Sequence, residues 1–142
     1  MQNITEDHLK KLFTKQYGQP ALSKNEWKNF YEDNVLFIDP TQEQAGLDRY
    51  VQAQEKLIKR CDDIYLKTHK ILISESVGFI EWEMGLKILN KEFIYPGITR
   101  LIFSESGKIK EHRDYFDFCG PTFGPIPILG SFIRWVYKKF AN

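Results

Sequence analysis

Apolar positions along this chain change to period two near residue 63, and the change separates a mainly helical first part from the long strands that follow. Before it, Ile4, Leu9, Leu12, Phe13 and Tyr17 recur at helical spacing, with Thr5 as N-cap, acids in the first turn and Gly18 as the stop. Ser23-Lys24-Asn25-Glu26 has the form of a capping box, and Trp27, Phe30 and Tyr31 behind it predict a short second helix. Val35 to Asp39 reads as a brief strand halted by Pro40, which cannot donate to a ladder. After Gly46, the positions Leu47, Tyr50, Val51, Leu57, Ile58 and Cys61 form the stripe of a third helix, interrupted by Gln54.

Beyond that point apolar and polar residues alternate, predicting strands over Ile64 to Ile73, Val77 to Leu89, Phe93 to Phe103 and Lys108 to Phe118. The links Ser74-Glu75-Ser76, Asn90-Lys91 and Ser104-Glu105-Ser106-Gly107 are too short for a crossover, so these strands form an antiparallel meander. In the second of them Ile80, Trp82, Met84, Leu86 and Ile88 share one face, while Glu81, Glu83 and Lys87 take the other. Trp82 is therefore expected inside. Helices first and a long meander afterwards define an α+β class: a curved antiparallel sheet with three N-terminal helices on its concave face. The expected domain covers residues 1–120. Residues 121–142 are a Gly/Pro-rich link and an amphipathic helix, expected to dock on the same domain.

Composition narrows the function. The 142 residues suit one domain, and 42% apolar with 15% aromatic residues supply enough volume for a core and a lined cavity. A formal net charge of +1 argues against nucleic acid as a partner. That charge is uneven, because residues 121–142 hold Arg134, Lys138 and Lys139 with no acid, leaving −2 on residues 1–120. Cys61 and Cys119 form no framework, which points to a reducing compartment. Met1 to His8 is polar and acidic, unlike a secretory signal, and no apolar run is long enough to span a bilayer. A cytoplasmic protein is expected.

The order helix, helix, short strand ending in Asp39-Pro40, helix and meander, closed by Gly107-Lys108-Ile109 and Arg113-Asp114-Tyr115-Phe116-Asp117, resembles the nuclear transport factor 2-like superfamily over residues 5–118. Together with the Pro127-Ile128-Leu129-Gly130 to Arg134-Trp135 tail, the pattern is most similar to its polyketide-cyclase-like members. The resemblance implies a cone around an apolar pocket, and a homodimer through the sheet. Phe37-Ile38-Asp39-Pro40 is similar to the segment that carries the general-base aspartate of ketosteroid isomerases. Tyr17 then matches their oxyanion-hole tyrosine, and Thr99 falls where their protonated aspartic acid lies. The strand holding Asp114 is similar to one that carries a catalytic aspartate in limonene epoxide hydrolases. There the arginine and second aspartate of the family are replaced by Trp82 and Met84, and the tyrosine and asparagine that position water are matched by Phe37 and Asp39.

Period two puts His112, Asp114 and Phe116 on one face of the last strand, so an Asp114 that faces the pocket brings His112 with it. The pair has the makings of a general acid and base, with Asp39 as a third member. The structural alternatives are that Asp114 accepts hydrogen bonds from buried donors such as Tyr17 or Trp82, and that Asp39 bonds backbone N–H groups in an Asp-Pro turn. Phe37, Trp82, Met84, Thr99 and Phe116, with Tyr17, are the expected substrate-binding wall. His8, His69 and His112 lie on separate elements, and nothing indicates a metal or a cofactor.

These features describe a pocket for an apolar small molecule. The reaction stays open between a cofactor-independent isomerase, hydrolase or cyclase, with a non-catalytic binder of an apolar ligand or an interaction module as alternatives. The tail from Ile128 to Phe140 is aromatic and basic. Docking across the cone mouth or on a partner subunit is the preferred reading of it, and contact with a membrane surface the secondary one.

Overall fold

The structure is a computed structural model that describes residues 3–141; Met1, Gln2 and Asn142, at the ends of the expected domain and tail, lie outside the described residues. The first helix, α1 (Glu6–Leu12), starts as its sequence dictates: Thr5 accepts from the His8 N–H, and His8 Nδ1 accepts from the Thr5 N–H. It stops well before Gly18. The backbone of Lys15 is drawn into an antiparallel bridge with Leu66, exchanging two hydrogen bonds of 2.8 and 2.7 Å, and a helical residue cannot make both. The second helix, α2 (Lys24–Lys28), has the expected Ser23 and Glu26 capping box but ends before Tyr31.

Tyr31 instead opens β1 (Tyr31–Asp39), where Phe30 accepts from the Ile109 N–H. There follow β2 (Gln42–Ala45), α3 (Leu47–Arg60), β3 (Asp63–Ser74), β4 (Val77–Ile88), β5 (Lys91–Phe103) and β6 (Ile109–Phe116). The single sheet has the order β2-β1-β6-β5-β4-β3. Its meander is antiparallel, but β1 lies parallel to β6, with Phe37 beside His112, so the sheet is mixed. Register shifts between Thr68 and Lys70 and between Ile102 and Phe103 mark bulges, which bend and twist long strands.

The core sits between the concave face and α1 and α3. Leu9, Tyr31, Val35, Ile80, Leu101 and Ile109 are buried there, and α3 contributes Leu47, Tyr50 and Val51. One glycine shapes the concave face. Gly97 faces Trp82 across the β4–β5 pair, and a Cβ at that position would sit inside van der Waals contact of the indole. The bare backbone lets the ring lie across β5.

After β6 come α4 (Cys119–Phe123) and α5 (Pro127–Ala141). In the structure α5 packs on α4 with its small and polar side. Gly130 is buried against the Gly124 carbonyl, Arg134 donates to that carbonyl at 3.2 Å, and Tyr137 donates to Asp117 at 2.9 Å. Among the described residues no helix is long and apolar enough to cross a membrane.

Candidate functional site

A cavity of about 550 Å³ opens between the concave face of the sheet and α3. Phe37, Trp82, Met84, Thr99, Asp114 and Phe116 all line it, together with His112. Their convergence follows from sheet register. Thr99 stands opposite Asp114 and Leu101 opposite His112 on the β5–β6 pair, while the parallel seam sets Phe37 beside His112. The third helix adds Tyr50, Gln54, Lys56, Leu57 and Arg60, so the wall there changes from aromatic to amide and cation.

At the floor, five side chains form a continuous line of hydrogen bonds. The Trp82 indole N–H donates to Thr99 Oγ1 at 2.7 Å, and the Thr99 hydroxyl donates to Asp114 Oδ1 at 2.5 Å. His112 Nε2 lies 2.7 Å from the same Oδ1, and His112 Nδ1 lies 2.8 Å from the Tyr31 hydroxyl. Indole can only donate, so the Thr99 hydroxyl must pass its own proton toward Asp114. An ionised Asp114 accepts from Thr99 and from a proton on Nε2. Nδ1 then accepts from Tyr31 while the imidazole is neutral, and donates to the tyrosine oxygen once it is charged.

Both Oδ1 bonds leave Oδ2 without a hydrogen bond from the described residues. His112 is 3% exposed and Asp114 17%, so the carboxylate is the member of the pair that reaches open space. Burial pushes the Tyr31 hydroxyl well above its ordinary range, and neighbouring Tyr50 and the Asp114 charge add to it. Burial also pushes Tyr50 up, against a smaller opposing effect of its bond with Tyr31, and the Asp114 charge adds the least. Tyr31 therefore stays neutral near pH 7 and keeps a proton to give. Its ring and that of Tyr50 stack at 5.0 Å, and Phe37 stands edge-on to both Tyr50 and His112.

Asp39 also reaches the cavity wall, yet its carboxylate is committed to the β1–β2 turn. Oδ1 accepts from the Thr41 N–H, the Thr41 hydroxyl and the Gln42 N–H at 2.7 to 3.0 Å, and Oδ2 accepts from Gln42 Nε2 at 3.1 Å. Tyr17 is not among the lining residues. With α1 ended at Leu12, its ring stands edge-on to Tyr65 and its hydroxyl donates to Glu92 at 3.1 Å. Partial burial and that carboxylate push Tyr17 up to about 12. Trp82 reaches Asp114 through Thr99 and not directly.

Tyr31 is the site residue that sequence reasoning misses, because the capping box and helical spacing before it assign it to the end of the second helix. A period-two signal is present in Tyr31, Val35 and Phe37, all of them buried. Tyr50 reads from the sequence as core alone. Among the described residues no group of three or more His, Cys, Asp or Glu side chains is placed to hold a metal ion.

A mixed, half-open sheet with helices packed on it is a nuclear transport factor 2-like fold, and solved structures share it. A ketosteroid isomerase-like protein from Catenulispora acidiphila, in complex with trimethylamine, superimposes with a TM-score of 0.61 at 15% identity, over 68% of this chain and 76% of that one. A candidate SnoaL-like polyketide cyclase from Jannaschia sp. gives 0.58 at 12% identity, over 66% and 72% of the two chains. An epoxide hydrolase from M. tuberculosis, like limonene epoxide hydrolase, gives 0.56 at 18%, over 66% and 70%. At these identities the likeness is one of fold. Within that fold, the chain belongs to the family described as uncharacterized conserved protein, DUF2358, whose profile matches residues 2–112. No curated protein matches the chain.

Proposed function

We propose that the cone binds a small, largely apolar molecule and that Asp114 moves a proton on it. The observation that carries this reading is the arrangement at Asp114, a residue that lines the cavity of about 550 Å³: one carboxylate oxygen is held by Thr99 and His112, while the other has no hydrogen bond from the described residues. Oδ2 is the atom that takes a proton, from a carbon beside a carbonyl or from a water molecule. The two donors on Oδ1 fix the carboxylate plane, and Tyr31 fixes the imidazole. A proton returned from Oδ2 to a second position of the same substrate completes an isomerisation or ring closure without a cofactor.

The test is Asp114→Asn, which keeps the shape and removes the base. Turnover in a screen of apolar carbonyl compounds and epoxides should fall by at least about a hundredfold. Binding, followed by emission of the cavity tryptophans Trp27 and Trp82, should survive. An Asp114→Asn protein with undiminished turnover would remove Asp114 from the chemistry.

The completeness of the line from Trp82 to Tyr31 favours a second reading, a binder in which these bonds only stiffen the floor. That reading expects ligand binding without turnover in either protein. A homodimer through the outer face of the sheet accompanies both, since Leu72, Phe79, Ile94, Ile98 and Tyr115 are exposed there. Sedimentation velocity that finds only monomer at micromolar concentration would remove it.

A further inference from the structure

Helix α5 is built in an inverted sense. At 3.6 residues per turn, Ile128, Leu129, Phe132, Ile133, Trp135, Val136 and Phe140 fall on one side, and Gly130, Ser131, Arg134, Tyr137 and Lys138 on the other. The second side is the one that meets its own chain, through Gly130 on the Gly124 carbonyl, Arg134 on the same oxygen and Tyr137 on Asp117. The apolar side faces out. Ile128 is 84% exposed and Phe140 90%, with Leu129, Phe132 and Trp135 about half exposed. A helix in water ordinarily does the reverse, so this stripe is made for an apolar surrounding that is not its own domain.

Charge selects that surrounding. Between Phe118 and Ala141 the chain has Arg134, Lys138 and Lys139 and no acid, and the acid just before this segment, Asp117, is already bonded to Tyr137 and the Gly120 N–H. Lys139 projects from within the apolar side itself, near its C-terminal end. Against a second copy of the helix, such a lysine is buried in apolar contact with no acid on either helix to pair with it. At a lipid surface, its stem lies along the acyl boundary and its ammonium reaches the headgroups. Trp135 has the amphipathic ring that settles at this depth.

We propose that α5 lies flat in the surface of an anionic membrane, with Ile128, Phe132, Trp135 and Phe140 below the headgroups and Lys138 and Lys139 among them. This is independent of what the cavity binds. The test is co-sedimentation of the full-length protein with vesicles of phosphatidylcholine containing about 30% phosphatidylglycerol, and with phosphatidylcholine alone. Binding should favour the anionic vesicles and weaken with salt. Phe132→Ser with Trp135→Ser should reduce it at least about tenfold, and Lys138→Glu with Lys139→Glu by about fivefold per charge. These side chains are exposed, so far-UV circular dichroism of the variants should match the parent. In the unaltered protein, lipid brominated near the headgroup should quench the emission of Trp135. No sedimentation with either vesicle overturns the proposal. So does self-association, lost in the Phe132→Ser and Trp135→Ser protein, without vesicle binding, because the occupant is then a second copy.

Discussion

Replacing Thr99 by valine changes almost no volume and breaks the floor of the site in two places at once. Thr99 is fully buried, donates to Asp114 at 2.5 Å and accepts from the Trp82 indole at 2.7 Å. A hydrogen bond to a charged group contributes about 1.5–3 kcal/mol, and a buried donor left without an acceptor costs about 1–3 kcal/mol. The two losses share one atom and are not additive, and a methyl group in place of the hydroxyl recovers part of them, so a net destabilisation of about 3 kcal/mol is expected. Urea unfolding followed by tryptophan emission measures it. With a slope of about 2 kcal/mol per M for a domain of this size, the midpoint should fall by about 1.5 M with the slope unchanged. Thr99→Ser, which keeps the hydroxyl, should lose only about 1 kcal/mol for the missing methyl. A double-mutant cycle with Trp82→Phe should give a coupling of at least about 1 kcal/mol. A valine variant within about 0.5 kcal/mol of the parent would refute the reasoning, since the hydroxyl would then be exchanging its partners for water at no cost.

Gly97→Ala puts a methyl group where the Trp82 ring lies, and should cost about 1–3 kcal/mol and alter the near-UV circular dichroism of the indole; an unchanged spectrum and midpoint would show that the ring is not held there. Tyr31 and Tyr50 are both pushed up on folding, so the folded state keeps protons that the unfolded chain releases above about pH 10. Their contribution is complete below that pH and is lost as pH rises beyond it, so the urea midpoint should fall between about pH 10 and 12, and less steeply in Tyr31→Phe. Absorbance at 295 nm showing all seven tyrosines ionising together near pH 10 in the folded protein would contradict this.

Much of the sheet is written in local alternation. Ile80, Trp82 and Leu86 turn inward as their spacing requires, and His112 with Asp114 comes to one face because two residues along a strand must. The features that escape depend on partners far away in the chain. Phe30 and Tyr31 follow a capping box at helical spacing, but the Ile109 N–H claims the Phe30 carbonyl and converts the segment to strand. Tyr17 is spaced for a helix that the Lys15 to Leu66 bridge terminates. Strand β2 is Gln-Glu-Gln-Ala, with no alternation to read, and is held by what Asp39 accepts across the turn. The stripe on α5 is visible, but a stripe states only that one side is apolar and not which side meets the domain.

The parallel seam between β1 and β6 has a consequence for the order in which the floor is assembled. Trp82, Thr99 and Asp114 are joined over separations of 17 and 15 residues, within a meander that hairpin formation alone can align. Tyr31 and His112 are 81 residues apart, so their bond waits for a large loop to close. Closing such a loop is slow, and contacts of that separation form late. During folding, the aspartate should therefore acquire its threonine well before the histidine acquires its tyrosine. A chain caught short of that last step would have a nearly complete meander and an imidazole without its second partner. The orientation of His112 is thus a property of the finished molecule, gained and lost together with the closing of the seam.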